Sequence, residues 1–473
     1  MLADDLCFTP ATDLAALIRT RELSSTEVMV AHLERIHAVN PRVNAIVTLV
    51  PEQALARARE ADDNQARGGS LGPLHGLPIA HKDLELTRGI RTTFGSPIYR
   101  DFVPERSSLL VERLQEAGAI TIGKTNTPEF GAGSQTYNEV FGETRNPYDL
   151  SKTCGGSSGG AAVALASGLL PIADGSDFGG SLRNPAAFCN VVGFRPSPGR
   201  VPSYPAIMAW WNLSVVGPMA RTVGDVALML SAMAGPDRRV PISISETGTR
   251  FAAPLRRDFS GTRVAWSADL GGLPIDPRIA SVHAQQRDIF AALGCTLDDA
   301  TPDFRDADAI FKGWRAWRTE ASYGALIAEH GMLFKETIRD EASVGAQLTG
   351  PQLARLEMAR AALYERVCTF LDSYEFLICP VTQAPPFDIQ QRYLTEINGE
   401  PLASYIDWMR SCYFISVLGL PAISVPCGFT ADSLPVGIQI VGRPRDDWGV
   451  LQLAHAFEQA TGHWRRRPAL DTR

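Results

Sequence analysis

Short apolar runs alternate with amphipathic helical segments through much of this chain, and this alternation restricts the folds that it can adopt. Strands that alternate with helices in this way are typical of an α/β fold, in which each helix returns the chain to a sheet. We therefore expect the α/β class. The runs and helical segments that carry this pattern from Leu77 onward are 77–80, 109–115, 119–122, 160–166 and 191–194.

The N-terminal segment is predicted to begin with two helices. Ser24 and Glu27 have the spacing of a capping box, which indicates the start of the first helix, and Pro41 is expected to end it. A strand is predicted over 45–50. Pro51 opens an Ala-rich second helix that should end at Ala61, followed by a polar loop over 62–72.

The C-terminal half contains a stretch of different character. Residues 303–374 carry apolar side chains on repeating helical faces, which predicts a helical insertion or cap. Apolar runs at 376–379, 422–426 and 436–441 then predict strands that complete the sheet. Since no repeat or low-complexity linker divides the chain, we expect one domain over 1–473, with a core at 65–230, a helical cap or insertion at about 303–400, and C-terminal strands and a helix at 405–465.

Charge and spacing exclude several classes of ligand. The chain has 45 Lys and Arg against 52 Asp and Glu, a net charge of −7, so it lacks the cationic excess that a nucleic acid would attract. We see neither a long apolar run for a membrane span nor the pattern of a signal peptide. The eight cysteines and eight histidines lack metal-ligand spacing. We expect a cytoplasmic protein without metal, cofactor, nucleic acid or membrane.

Two Gly- and Ser-rich clusters contain the candidate chemistry. The first, Thr153–Gly160, allows three interpretations: a structural turn, a phosphate-binding loop, or the G-x-S-x-G turn that carries the nucleophile of α/β-hydrolases. It lacks the Gly-Lys-Ser/Thr ending of a phosphate-binding loop. The preceding residues, Asn146–Lys152, indicate a turn instead of the strand that a hydrolase elbow follows.

The second cluster, Asp174–Arg183, places Ser181 directly after two glycines. A tight structural turn is the default interpretation of such a segment alone. However, successive backbone N–H groups can converge beside the serine hydroxyl, as an oxyanion hole requires. The donors are expected to be the N–H groups of Phe178, Gly179, Gly180 and Ser181.

A serine nucleophile needs a base, and Lys82 is the candidate. Lys82 follows the apolar run Leu77–His81, so its stem would be buried at the end of a strand. Most lysines in such a place simply reach solvent. A desolvated lysine, in contrast, has a lowered pKa and offers a neutral amine as proton acceptor. The segment alone leaves both alternatives open.

Together these segments resemble the amidase signature family, and the resemblance covers most of the chain. It implies the amidase signature fold, a large mixed twisted β-sheet covered on both sides by helices, with a helical cap or insertion. It also implies a serine amidohydrolase. The matching segments are Gly76–Asp83, Gly123–Phe130, Thr144–Pro147, Gly155–Gly160, Gly179–Ser181, Pro185–Cys189, Gly217–Thr222 and Leu420–Ala422.

The resemblance further implies a Ser-cisSer-Lys triad. Lys82 matches the base and Ser181 the nucleophile, and the family's spacing from the nucleophile selects Ser157 as the bridging serine, which follows a cis peptide bond. Neutral Lys82 would take a proton through Ser157 from Ser181, and the resulting acyl-enzyme would be released by water. Supporting rather than reacting roles are expected for Ser158, Asp177 and Arg183.

We expect the substrate to be a small apolar or aromatic carboxamide, including anilides and carbamates. Aromatic residues follow the second cluster, and as a group they suit a pocket for an apolar substrate, although each of them alone is a better candidate for a core contact. Phe178 is bulky where relatives commonly carry a modest side chain, which predicts a role in selectivity. The predicted pocket residues are Gln135, Tyr137, Cys154, Phe178, Met208, Trp210 and Trp211.

The principal alternative is one component of a tRNA-dependent glutamyl amidotransferase, the glutaminase chain, which is similar in sequence, works inside a complex and passes ammonia to a partner. This sequence lacks the Arg-Arg and paired-Tyr helical segments that we associate with that component. A binding protein without activity is a third alternative, disfavoured by the presence of Lys82, Ser157 and Ser181. We expect the chain to act on a small-molecule amide alone or as a homodimer.

Overall fold

Helices and strands alternate along the protein, whose structure, a computed structural model, describes residues 3–470. The strands are β1 Ile46–Leu49, β2 Pro78–Lys82, β3 Ile120–Thr125, β4 Tyr137–Asn138, β5 Gly142–Glu143, β6 Ile172–Asp177, β7 Val192–Arg195, β8 Val215–Ala220, β9 Arg263–Trp266, β10 Thr296–Asp299, β11 Phe376–Pro380, β12 Glu396–Ile397, β13 Glu400–Pro401, β14 Ala422–Phe429 and β15 Pro435–Gly442. The α-helices are α1 Ala3–Cys7, α2 Ala11–Thr20, α3 Ser25–Val43, α4 Pro51–Ala66, α5 Leu109–Glu116, α6 Gly159–Ala166, α7 Arg183–Phe188, α8 Val223–Met233, α9 Pro277–Ala284, α10 Arg287–Ala292, α11 Ala307–His330, α12 Glu336–Ala346, α13 Gly350–Asp372, α14 Arg410–Ser416 and α15 Asp447–Thr461. Short 3₁₀ helices lie at Pro97–Tyr99, Glu129–Gly131, Gly248–Ala252, Gly331–Leu333, Asp407–Met409 and His463–Arg465.

One mixed sheet of eleven strands forms the centre of the fold, in the order β1-β3-β2-β6-β8-β7-β14-β15-β11-β9-β10. β2 runs parallel to both of its neighbours, β3 and β6, whereas β6 pairs with β8 in the antiparallel sense. The pairs β4–β5 and β12–β13 form two small separate sheets. The predicted α/β class with a large mixed sheet is confirmed.

Helices cover both faces of this sheet, as two neighbouring residues of β2 illustrate. Ile79 and Ala80 are fully buried, and they belong to different hydrophobic clusters. Successive side chains of a strand point to opposite faces, so each face must be covered. The cluster of Ala80 includes α6, and the cluster of Ile79 includes α8 and α15.

The N-terminal helices begin as predicted but end later. The capping box is present, since Ser24 Oγ accepts from Glu27 N at 3.0 Å and Ser24 N donates to Glu27 Oε2 at 2.8 Å. The predicted end at Pro41 is wrong, because α3 continues to Val43 and ends at Asn44, which has a φ of 50°. The predicted end of α4 at Ala61 is also wrong.

α4 continues to Ala66 because a tertiary contact uses its polar residues. Asp62 Oδ1 accepts from Ser25 N at 2.7 Å, and Asp62 Oδ2 accepts from Thr26 Oγ1 at 2.6 Å. A residue that looked like the start of a loop therefore binds the first turn of α3. The sequence pattern contains no sign of this long-range pairing.

Helices α11, α12 and α13 occupy 307–372, within the predicted cap. The helical part of the predicted range 303–400 ends at Asp372, because β11 pairs with β15 and β9 in the central sheet. β14, β15 and α15 follow within the predicted C-terminal segment 405–465. Among residues 3–470, no helix is long and apolar enough to cross a membrane.

Candidate active site

Two parallel strands and the loops that follow them bring the candidate residues to one edge of the sheet. β2 ends at Lys82 and its parallel neighbour β6 ends at Asp177, so the turn after β6, which contains Ser181, begins beside Lys82. The first Gly-Ser cluster leads into α6 at the same edge. Ser158 N donates to Ser181 O at 3.2 Å, which joins the two clusters directly.

The amine of Lys82 is surrounded by serine hydroxyls. Its Nζ atom lies 2.8 Å from Ser157 Oγ, 2.9 Å from Ser158 Oγ and 3.0 Å from Ser176 Oγ. A neutral amine has two N–H donors and one lone pair, so three hydroxyl partners can satisfy it completely. Ser176 was not singled out in the sequence, although it lies in the second cluster.

Burial sets the protonation state of Lys82. The side chain is buried, and desolvation lowers the pKa of Lys82 to about 7, although the carboxylates of Glu85, Asp174 and Asp177 act in the opposite direction. The cost of burying the ammonium form thus exceeds the attraction of nearby carboxylates. A substantial fraction of the amine is therefore neutral at neutral pH.

Asp174 fixes the end of β2 from the neighbouring strand. Its Oδ1 atom accepts from Lys82 N at 2.9 Å, and its Oδ2 atom lies 2.5 Å from His81 Nδ1. All three residues are buried. Sequence reasoning missed Asp174 and His81 because their pairing joins two strands that are far apart in the chain.

The turn from Phe178 to Ser181 differs from the predicted oxyanion hole in one donor. Gly180 N donates to Asp177 Oδ1 at 2.9 Å, so Gly180 should not be counted among the free donors. Within residues 3–470, the N–H groups of Phe178, Gly179 and Ser181 have no hydrogen-bond partner. Three donors therefore remain beside the Ser181 hydroxyl.

Gly180 is required by the backbone of this turn. Its φ of 121° lies in the region that side-chain-bearing residues rarely adopt, and a Cβ at this position would overlap the side chain of Cys412. The turn can therefore approach α14 closely only with glycine here.

A buried ion-pair network holds the turn from below. Asp177 Oδ1 lies 2.9 Å from both Arg183 Nη2 and Arg195 Nη1, and all three side chains are fully buried. Burial alone would raise the pKa of Asp177, but the two guanidinium groups outweigh it and hold that pKa well below its usual range. Asp177 and Arg183 thus have the ion pair that the sequence suggested, and Arg195 is an additional partner.

The first cluster is also fixed by a polar side chain. The Gly156–Ser157 peptide bond is cis, as the resemblance implied. Asn184 flanks it with two hydrogen bonds: its Oδ1 accepts from Gly156 N at 3.0 Å and its Nδ2 donates to Gly156 O at 2.6 Å. Asn184 belongs to α7, directly after the Ser181 turn, so the two clusters support each other.

A cavity of about 390 Å³ opens above these groups. Ser157, Ser176 and Ser181 line it together with the backbone of Gly179. Of the predicted pocket residues, Phe178, Met208 and Trp211 line this cavity. The Phe178 and Trp211 rings lie edge to face with centroids 5.8 Å apart, so they form one aromatic wall.

The other predicted pocket residues lie elsewhere. Trp210 is 76% exposed, and Cys154 is buried in the core. Gln135 Nε2 donates to the backbone O of Gln391 at 2.7 Å. Tyr137 lies against the cations of Lys335 and Arg392, 4.6 and 4.2 Å from its ring centroid. The assignment of these four residues to the pocket was wrong, because adjacency in sequence to the Gly-Ser clusters does not determine which way a side chain points.

One face of α11 supplies a wall of the cavity that the sequence analysis missed. The side chains recur at helical spacing, so this stripe was visible in the sequence, but nothing there showed which face of the cap helix turns toward Ser181. Among residues 3–470, no three His, Cys, Asp or Glu side chains come together as a metal site would require. The α11 residues at the cavity are Phe311, Arg315, Arg318, Thr319, Ser322 and Tyr323.

Comparisons with known proteins agree with this geometry. The family model described as Amidase matches residues 27–451. The chain is 37% identical to an acylamidase of Rhodococcus erythropolis, covering 99% of both chains. It is 35% identical to the glutaminase component of the glutamyl-tRNA(Gln) amidotransferase of Moorella thermoacetica, covering 98% of this chain and 99% of that one. The solved structure of a bacterial aryl acylamidase of the amidase signature family superposes with a TM-score of 0.90 at 27% identity, covering 97% of this chain and 98% of that one.

Proposed function

The chain belongs to the amidase signature family, whose members hydrolyse carbon–nitrogen bonds of linear amides, and on this premise we propose that it cleaves a small apolar or aromatic carboxamide through an acyl-enzyme on Ser181. The observation that carries this proposal is the buried amine of Lys82, 2.8 Å from the Ser157 hydroxyl. Ser157 and Ser181 line the same cavity.

The first step of the proposed reaction forms the acyl-enzyme. The neutral amine of Lys82 accepts the Ser157 proton while Ser157 Oγ accepts the proton of Ser181, whose oxygen attacks the substrate carbonyl. The negative charge that develops on the carbonyl oxygen is stabilised by the free N–H groups of Phe178, Gly179 and Ser181. These donors are already fixed by the Asp177 network, so they need little reorganisation during the reaction.

The second half of the cycle reverses the proton path. The ammonium of Lys82 returns its proton through Ser157 to the departing nitrogen, which makes the amine a good leaving group. The C–N bond breaks and the acyl group stays on Ser181. A water molecule, deprotonated by the same relay, then attacks the ester and releases the acid.

The aromatic wall of the cavity supports an apolar or aromatic substrate. Phe178 and Trp211 lie beside the oxyanion donors, and Phe311 lies 5.1 Å from Phe178 between ring centroids. Burial of an aryl or alkyl group against these rings would supply binding free energy by the hydrophobic effect. The relatives named acylamidase and aryl acylamidase agree with this substrate class.

A substrate panel with the purified chain tests the proposal. We expect the chain alone to release 4-nitroaniline from 4-nitroacetanilide and to cleave small amides, with esters and carbamates as further members of the panel. The Ser181→Ala variant is the control and should lose turnover. The similarity to the amidotransferase component makes glutamine the contrasting substrate. Glutaminase activity that appears only with a partner chain, together with no anilide cleavage, would contradict the proposal.

A further inference from the structure

Two arginines of α11 line the cavity, and their surroundings differ. Arg315 is neutralised, because its Nη1 lies 2.5 Å from Glu341 Oε1 and its Nη2 donates to the Tyr405 hydroxyl. Arg318, one turn further along the helix, has neither an ion pair nor a hydrogen bond among residues 3–470. Its guanidinium carbon lies 5.4 Å from the ring centroid of Phe178 and 5.9 Å from that of Trp211.

The acidic groups near Arg318 do not balance it. Glu85 is the acidic residue of the described lining, and its Oε2 accepts from Ser108 Oγ at 2.7 Å without an ion pair to Arg318. Glu341 is close enough to be influenced by Arg318, but its salt bridge is made with Arg315. The wall beside Phe178 therefore carries an uncompensated positive charge.

This charge discriminates between substrates. Arg318 is partly buried, so a substrate that fills the cavity would remove water from the guanidinium. A neutral substrate would leave the guanidinium without a hydrogen-bond acceptor, which costs free energy, whereas the two aromatic rings offer only weak cation–π attraction. A carboxylate would replace the lost water with paired, charge-assisted hydrogen bonds.

We propose that the preferred substrates are amides that carry a carboxylate, which Arg318 binds on the aromatic wall beside the oxyanion donors. This inference rests on the proposed amidase function and specifies its substrate class. The position of Arg318 above the Phe178 ring places the carboxylate near the scissile carbonyl. Arg318 acts as a specificity-determining residue, and it takes no part in the proton relay.

Four anilides test this preference and show on which side of the amide the carboxylate lies. Glutaranilic acid carries it on the acyl side and 4-acetamidobenzoate on the amine side; hexananilide and 4-methylacetanilide are their neutral counterparts. A hydrogen bond to a charged group contributes about 1.5–3 kcal/mol, so the wild type should favour at least one acid over its counterpart by about 10- to 100-fold in kcat/KM. In Arg318→Gln this preference should fall to about one, with neutral anilides cleaved nearly as before.

The control variant is Arg355→Gln, which removes an exposed arginine of α13 and should keep the wild-type preference. Calorimetric binding of the same four compounds to Ser181→Ala separates this inference from the proposed function, because binding there needs no turnover. Tighter binding of an acid in Ser181→Ala, lost when Arg318→Gln is added, supports the inference even if no compound is cleaved. Equal affinity for acids and neutral anilides, or a preference that survives Arg318→Gln, would overturn it.

Discussion

Two buried lysines at the ends of adjacent strands show how the surroundings of a residue determine its role. Burial lowers the pKa of Lys82 to about 7 and that of Lys124 to about 8. Lys124 donates to the Glu85 carbonyl and to Thr87 Oγ1, so it is held by structural partners. Lys82 instead contacts hydroxyls, among them Ser157, which lines the cavity. The lowered pKa alone would not have identified the base.

The two serines beside Lys82 should differ in importance. Ser157 lines the cavity, whereas Ser158 is buried and packs its hydroxyl toward the backbone of Ser176. We expect Ser157→Ala to lower kcat by about 10²- to 10⁴-fold, the range for loss of general acid–base catalysis. Ser158→Ala should cost about tenfold or less. Steady-state kinetics on 4-nitroacetanilide would measure both, and an equal loss in the two variants would contradict the assignment of Ser157 as the relay.

At the scale of elements, Asp177 connects three parts of the fold. It ends β6, and its partners Arg183 and Arg195 begin α7 and end β7. The Gly180 N–H group, bonded to the same carboxylate, ties the Ser181 turn to this junction. The geometry of the nucleophile turn therefore depends on a charge in the core of the sheet.

Removal of that charge should reduce both stability and activity. Asp177→Asn leaves two buried guanidinium groups without their carboxylate, and breaking a buried ion pair costs about 3–5 kcal/mol. Asp237→Asn is the matched control, because Asp237 pairs with the exposed Arg239, and surface pairs contribute about 0–1 kcal/mol. Urea denaturation and kcat of each variant would check this. An Asp177→Asn protein as stable as the control variant would refute the supporting role.

The sequence predicted elements better than it predicted contacts between them. The α/β alternation and the capping box at Ser24 are local patterns, and both were found. The ends of α3 and α4 were missed because Asp62 extends α4 in order to bind α3. The cap was recognised from its helical period, but the orientation of the α11 stripe, with Arg315 and Arg318, depends on packing across distant segments.

At the scale of the whole molecule, the site is assembled from segments that are far apart in the chain. Lys82, Ser157 and Ser181 could be named before the structure because Gly-Ser clusters and a buried strand end are recognisable in sequence. The pocket could not be predicted in the same way. Trp210 and Trp211 are adjacent, yet one is exposed and the other faces Phe178. Which of two neighbours turns inward is decided by the surrounding fold.

The central claim is that Ser181 is a nucleophile activated by the neutral amine of Lys82. Because the pKa of Lys82 is lowered to about 7, the neutral form predominates above that pH, and reactivity should rise about tenfold per pH unit below it and level off above it. The most direct measurement is the rate of labelling by a fluorophosphonate probe from pH 5 to 9, followed by peptide mapping. The account predicts label on Ser181, a rate that rises to a plateau near pH 7, and no label in Ser181→Ala. Label on another residue, or a rate at Ser181 that is independent of pH, would contradict it.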